Sequence, residues 1–226
     1  GEVNWMTAGK GIVHSERTDP LKKSQGGAMH GMQAWVALPT EAEEVDPSFH
    51  HHGEEGQPSY ENGGLFARLV AGEAYGAKAA APVSSPLFYV HWELAEGVRT
   101  AAPPGKGAGG YSERALYVVK GEVEIGDRTF HGGQMVVLEP TAEPTIKALQ
   151  PSTVMVLGGE PVGPRVIWWN FVSSSQARID AAKADWKAGR MTLPKDDAQE
   201  FIPLPDVPST PEPAPEPVKP DPTDPV

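Results

Sequence analysis

The sequence predicts an all-β protein, a sandwich or small barrel of short strands, followed by one helix and a polar tail. Short apolar runs rich in β-branched and aromatic residues recur between residues 33 and 169. Glycine pairs and single glycines separate many of these runs, as turns do. A helical spacing of apolar residues stands out only late in the chain, after residue 173. Many short strands at this spacing favour a sandwich or a small barrel.

The predicted strands are four to eight residues long and are bounded by turn residues. They span residues 33–38, 65–70, 87–94, 114–119, 122–125, 134–138, 153–157 and 166–169. Turns are predicted at Gly121, Gly126-Asp127, Gly132-Gly133 and Gly158-Gly159. Residues 46–62 are polar and contain Pro47 and Pro58, which predicts a linker between two β units.

The helix is predicted from its cap and its apolar face. Ser173 to Ser175 supply an N-cap, and Ile179, Ala182 and Trp186 share one face of the helix that follows. Gly189 is a typical helix end. We therefore expect a closing helix within residues 174–188. Residues 193–226 are rich in proline and acidic residues, which predicts a disordered tail, either a solvated appendage or a ligand for a proline-binding module.

Composition limits the functional classes. The chain has 226 residues, a formal net charge of -11 and no cysteine. Disulfides and thiolate sites are therefore excluded, and we expect a cytoplasmic protein. A surface this acidic repels phosphate backbones, so we expect no direct contact with nucleic acid. No run approaches 18 apolar residues, so we expect no membrane span, whereas a protein partner remains open.

One segment near the start of the chain has the composition of a metal site. His14 and Glu16 are two residues apart, so on a strand both side chains would point to the same side. Imidazole and carboxylate donors together suit Fe(II), Mn(II), Ni(II) or Cu(II). Gly9 and Gly11 lie just before the pair and allow positive φ and close backbone approach. The alternative is an exposed His-Glu pair without function, which is common on strands.

Several motifs in order and spacing resemble the pirin family of double-barrel cupin proteins. They are residues 1–17 with the His-x-Glu pair, 30–39, 69–73, 85–87, 157–161 and Phe171-Val172. The resemblance implies a double-stranded β-helix (jelly-roll) bicupin whose first barrel is incomplete. Residues 1–45 would be the C-terminal part of the N-terminal barrel, residues 46–62 the linker, and residues 63–192 the C-terminal cupin domain with its closing helix.

The resemblance also implies that His14 and Glu16 are metal ligands. In the family the other two ligands are histidines in a His-x-His arrangement on an earlier strand. That arrangement has no counterpart here, so we expect an N-terminally truncated chain with an incomplete site. The implied cofactor is mononuclear Fe(II), with Cu, Mn, Ni or Zn as alternatives. Residues 103–114 contain no histidine, so we expect the second barrel to be metal-free.

The remaining histidines are weaker candidates for ligands. His50, His51 and His52 stand next to Glu54 and Glu55, but three adjacent histidines alternate in direction, so at most two could face one metal. His30 either lines the first-barrel pocket or is a hydrogen-bonded core histidine. We expect His91 and His131 to be structural or solvent-facing.

Two functions follow from the resemblance. The first is a quercetin 2,3-dioxygenase type of activity in the intact protein, with a flavonol-like substrate, in which Glu16 would also be the catalytic base for the substrate hydroxyl. The second is a non-enzymatic metal- or redox-sensing regulator that binds protein partners.

Overall fold

The computed structural model describes residues 1–205. Residues 206–226, which hold most of the predicted proline-rich tail, lie outside the described residues. The strands before residue 160 are β1 Val3–Thr7, β2 Ser48–His52, β3 Ser59–Asn62, β4 Leu65–Ala74, β5 Ala77–Lys78, β6 Leu87–Leu94, β7 Arg99–Ala101, β8 Glu113–Lys120, β9 Glu122–Ile125, β10 Arg128–His131, β11 Met135–Leu138, β12 Thr145–Ala148 and β13 Ser152–Gly159. Later strands are β14 Val166–Trp168 and β15 Phe171–Ser173, and the helices are α1 Pro20–Gln25 and α2 Gln176–Lys187. The all-β prediction is therefore confirmed.

The chain divides into two compact units. The first comprises residues 1–12 and 34–163, and the second comprises residues 13–33 and the chain from residue 164 onward. Neither helix among residues 1–205 is long and apolar enough to cross a membrane.

The first unit is built on two antiparallel sheets. The larger has the order β11-β8-β13-β6-β4-β3, with β5 paired to β4, and the smaller has the order β10-β9-β12-β7. Alternate residues of β8 face inward, and Leu116 and Val118 are completely buried. Val123 and Ile146 of the smaller sheet belong to the same apolar cluster, so side chains from both sheets form one core.

The strongest sequence patterns gave correct strands. The predicted limits of β6 and β9 are those observed, because both strands alternate buried and less buried residues and end at turns. Trp92 and Phe88 of β6 are each 1% exposed and anchor the core. The Gly126-Asp127 turn between β9 and β10 is also confirmed. Gly158-Gly159, predicted as a turn, instead forms the end of β13 beside β6 and β8.

Residues 46–62, predicted as a linker, contain two strands. Strand β2 pairs antiparallel with β1, and β3 pairs with β4. Pro47 and Pro58 each immediately precede one of these strands, where the missing N–H removes no ladder hydrogen bond. The partner of β2 lies more than 40 residues earlier in the chain, so local composition could not reveal the pairing.

The strand predicted at residues 33–38 is absent. This segment has no regular secondary structure, and Trp35 and Val36 are 56% and 46% exposed. A run of strand-forming composition becomes a strand only where a neighbouring strand supplies hydrogen bonds to its backbone. None of the pairings within residues 1–205 involves this segment.

The second unit contains α1, the β14–β15 hairpin and α2. The helix predicted within residues 174–188 is observed as α2. The Ser175 hydroxyl accepts a hydrogen bond from the N–H of Arg178, and Gly189 follows the helix with φ of +65°. Ile179 and Ala182 are buried, as their shared face predicts. The helix contacts both β14 and β15. Helix α1 was not predicted. It begins where the Asp19 carboxylate caps Pro20–Gln25.

Candidate functional site

The glycine-rich turn after β1 has the backbone geometry that the sequence predicts. Gly9 and Gly11 have φ of +51° and +137°. The N–H of Lys10 donates to the Val45 carbonyl at 2.9 Å, and a Cβ at Gly9 would lie 2.1 Å from that oxygen. Lys10 also forms an ion pair with Asp46. The turn is therefore closely packed against residues 45–46, and only glycine fits at position 9.

His14 and Glu16 lie beyond this turn, in a segment without regular secondary structure. Both residues are exposed, and residues 11–19 belong to no strand. The prediction that a strand presents this pair was therefore wrong for this structure. Strand β1 ends at Thr7, and no ladder pairing within residues 1–205 continues it toward residue 14. Without a ladder, the two-residue spacing does not by itself direct both side chains to one side.

The donor types of His14 and Glu16 suit a transition metal, but their number does not. Among residues 1–205 no group of three or more His, Asp or Glu side chains could hold a metal ion. Protein sites that retain a metal usually supply three or four ligands. The described residues therefore do not fit a mononuclear centre by themselves, and on their own they support no chemical step through a metal.

The His50–His52 run lies on strand β2. His50 and His52 point to one side, and their rings are nearly parallel with centroids 6.3 Å apart. His51 points to the other side, where its Nδ1 hydrogen-bonds the Asn4 side-chain oxygen at 2.8 Å. Two histidines at most thus share a face, as the alternation predicts, and no third donor joins them among the described residues.

The surroundings of three other histidines, His30, His91 and His131, are defined in the structure. His30 is exposed and lies outside the helices and strands. The His91 Nε2 is 2.9 Å from the Glu93 carboxylate, which also accepts a hydrogen bond from the Thr153 hydroxyl. His131, at the end of β10, lies 3.3 Å from the Glu122 carboxylate. His91 and His131 thus have protein partners, which agrees with a structural role.

Arg17, which sequence reasoning did not single out, makes the strongest polar contacts of the segment that carries His14 and Glu16. Its Nε donates to the Asp197 carboxylate at 2.6 Å and its Nη2 donates to the same group at 2.9 Å. Hydrogen bonds from Arg17, with a smaller contribution from the Ser15 hydroxyl, hold the pKa of Asp197 below its usual value. Hydrogen bonds to Asp197 and to Glu200 raise the pKa of Arg17. Sequence separation hid this pair, since its members are 180 positions apart.

The space between the two sheets of the first unit is filled by apolar side chains, and Arg114 is buried beside them. The Arg114 side chain is 1% exposed and donates to the carbonyls of Pro103, Glu139 and Ala142. Sequence reasoning assigns no role to this residue. The β8 alternation offered a signal, because Arg114 occupies the same inward register as Leu116 and Val118.

The Arg114 contacts also account for the glycine-rich run at residues 105–110. The Glu143 carboxylate lies 3.4 Å from the Arg114 guanidinium and accepts the Gly105 N–H at 2.7 Å. The run is thus tied to the loop around residues 139–143 by protein groups. The run is therefore part of the barrel structure.

The two-sheet barrel and its packed core define the class of the protein, a cupin. The family model of the pirin C-terminal cupin domain matches residues 89–192, and the pirin model matches residues 1–36. A pirin-like protein of Caulobacter vibrioides is 64% identical over 206 residues, which cover 91% of this chain and 69% of that protein. The chain belongs to the pirin family.

Two further comparisons concern proteins named for an activity. A Pseudomonas aeruginosa protein, named as a presumed quercetin 2,3-dioxygenase, is 31% identical over 88% of this chain and 61% of its own length. The crystal structure of a quercetin 2,3-dioxygenase from Acinetobacter baumannii superposes with a TM-score of 0.74 at 26% identity, over 85% of this chain and 67% of that one. The chain thus spans about two thirds of the length of these relatives.

Proposed function

We propose that this chain supplies two ligands, the His14 imidazole and the Glu16 carboxylate, to the mononuclear metal centre of a flavonol dioxygenase of quercetin type. The observation that carries the proposal is the similarity to a quercetin 2,3-dioxygenase over 85% of the chain. Among residues 1–205 no group of three or more His, Asp or Glu side chains could hold a metal ion, so the proposal assigns only these two ligands to the described residues.

The donor set is compatible with several transition metals. One imidazole and one carboxylate suit Fe(II) as well as Mn, Ni or Cu, and we propose Fe(II). Bound there, the metal would supply the coordination site for the substrate oxygen and dioxygen. Glu16 would act as the base that accepts the proton of the flavonol hydroxyl, a role for which a carboxylate must lie within hydrogen-bonding distance of that group.

The experiment uses the gene product that contains this sequence, loaded with Fe(II) under anaerobic conditions and then exposed to air with quercetin. We expect oxygen uptake together with loss of flavonol absorbance. His14→Ala and Glu16→Gln should each reduce kcat/KM by at least about 100-fold, since each removes a ligand or a general base. His131→Ala is the matched control and should retain activity.

Two results would contradict the proposal. The first is no turnover by protein that holds one equivalent of metal, which would favour the regulator that binds protein partners. The second is turnover that His14→Ala and Glu16→Gln leave unchanged, because the reaction would then use other residues.

A further inference from the structure

Residues 194–202 return to the segment that carries His14 and Glu16. The chain turns at Pro194–Asp197, where the Asp197 N–H donates to the Pro194 carbonyl at 3.1 Å. The turn presents the Asp197 carboxylate to Arg17, whose Nε and Nη2 each donate to a separate carboxylate oxygen. The Arg17 Nη2 also donates to Glu200 at 3.1 Å. Residues 194–202, which fall within the predicted tail at residues 193–226, therefore make defined contacts.

The far end of residues 194–202 is attached to helix α2. The Trp186 indole N–H donates to the Ile202 carbonyl at 2.9 Å, and the Phe201 ring packs edge-on against the Trp186 ring at 6.1 Å. Trp186 in turn contacts Trp169 of the β14–β15 hairpin. The tail prediction rests on proline content and charge, whereas one aromatic residue and one carboxylate are enough to attach this segment.

The segment held by Asp197 has few other restraints. Residues 11–19 have no ladder hydrogen bonds, and the next regular element is α1, which the Asp19 carboxylate caps through the N–H groups of Leu21 and Lys22. Arg17 is adjacent to Glu16 and three residues from His14. Fixing the Arg17 guanidinium therefore restricts the backbone at the two proposed ligands.

The Arg17–Asp197 ion pair has a bidentate geometry, which is the kind that contributes measurably to stability. Isolated surface ion pairs are usually weak, but a two-pronged arginine–carboxylate pair is the recognised exception. The Asp197 side chain is 21% exposed, which limits its freedom, while Arg17 is 61% exposed. The Asp197 carboxylate is thus the more buried partner of the pair.

We infer that residues 194–202 form a strap, the C-terminal strap, in which Asp197 holds Arg17 and so positions His14 and Glu16. Arg17 and Asp197 are positioning residues, and their consequence for metal binding rests on the proposed function. Groups that orient metal ligands commonly change metal affinity by about 10- to 100-fold when removed.

The first test measures backbone order in this chain by NMR relaxation, without metal. Asp197→Asn and Arg17→Gln should lower the order parameters of residues 14–18 from about 0.85, typical of rigid backbone, to below about 0.6. The charge-exchanged double variant Arg17→Asp with Asp197→Arg should restore them, since it rebuilds the pair with opposite polarity. Asp196→Asn removes a neighbouring charge and should have no effect. Unchanged order in Asp197→Asn would overturn the strap.

The second test measures Mn(II) affinity in the gene product that contains this sequence. Asp197→Asn should weaken Mn(II) binding by about 10- to 100-fold, and the charge-exchanged double variant should recover it. Loss of order without loss of affinity would overturn the positioning role. A parent protein that binds no Mn(II) would contradict the proposed function instead, and the order parameters would then decide the strap alone.

Discussion

The Arg114 guanidinium satisfies backbone groups that would otherwise be buried without partners. It reaches three carbonyls in two loops that flank the barrel, at Pro103 and at residues 139–142. A buried carbonyl that loses its donor costs free energy comparable to a lost hydrogen bond. The charged side chain therefore serves to close the barrel end, although it stands among apolar residues.

Replacing Arg114 with methionine should lower the free energy of unfolding by about 2–4 kcal/mol, because it removes the donors and leaves the carbonyls unpaired. Urea denaturation measures the change. Arg99→Met, on the exposed β7 position, is the control and should stay within about 0.5 kcal/mol. Equal losses in both variants would show that the guanidinium contacts contribute nothing specific.

The Arg17–Asp197 pair should make the free energy of unfolding depend on pH under acidic conditions. The folded-state pKa of Asp197 is lowered, chiefly by its hydrogen bond from Arg17, so the carboxylate binds its proton more weakly in the folded chain. The contribution of this carboxylate to the free energy of unfolding is therefore fully present above its unfolded-state pKa of about 3.9. It disappears as the pH falls through the lowered folded-state pKa.

This contribution is measured by comparing the unfolding of the unsubstituted chain with that of Asp197→Asn from pH 7 to pH 2. We expect a constant difference in the free energy of unfolding between about pH 7 and pH 5, which shrinks toward zero at the acid end. A difference that stays constant down to pH 2 would show that the substitution acts by another route than charge.

At the scale of single elements, strand β4 shows how one close contact constrains a sequence. Its register with β6 shifts between Leu69 and Ala71, and Gly72 follows with φ of +73°. A Cβ at Gly72 would lie 1.9 Å from the Leu87 carbonyl oxygen. The bulge thus brings the β4 and β6 backbones too close for any side chain at this position.

Gly72→Ala and Gly76→Ala separate that contact from backbone strain. Gly76 has nearly the same φ, +76°, but no atom lies within 4 Å of its added Cβ. Gly76→Ala should cost about 1 kcal/mol, from the positive φ alone, while Gly72→Ala should cost at least about 2 kcal/mol more. Thermal unfolding of both variants measures the difference, and equal losses would argue against the close approach.

The sequence correctly predicts those elements that are determined by residues within or next to the element itself. Strands β6 and β9 and helix α2 carry their alternation, turns or caps within their own residues. Strand β2 reads as polar and forms only because β1 pairs with it, placing Trp5 opposite His50. Residues 33–38 have strand composition and remain irregular. In both cases, whether a strand forms depends on pairing with a distant segment, and the local composition gives no information about that pairing.

For the molecule as a whole, the family was predictable and the candidate site only in part. Motif order identified the pirin family, and the family models and the relatives confirm it. The His14 and Glu16 assignment stays a prediction. Their irregular segment and its attachment to Asp197 were not predictable, because the contact joins residues 180 positions apart. The division into residues 1–45, 46–62 and 63–192 also stays a prediction.

The central claim is that these residues carry two donors of a metal centre and not a complete centre. Its most direct test is the metal content of the 226-residue chain after loading with Fe(II) or Mn(II) and dialysis against a weak chelator. We predict retention well below one equivalent, because two ligands hold a metal too weakly. One retained equivalent that survives replacement of His50, His51 and His52 by alanine would contradict the account.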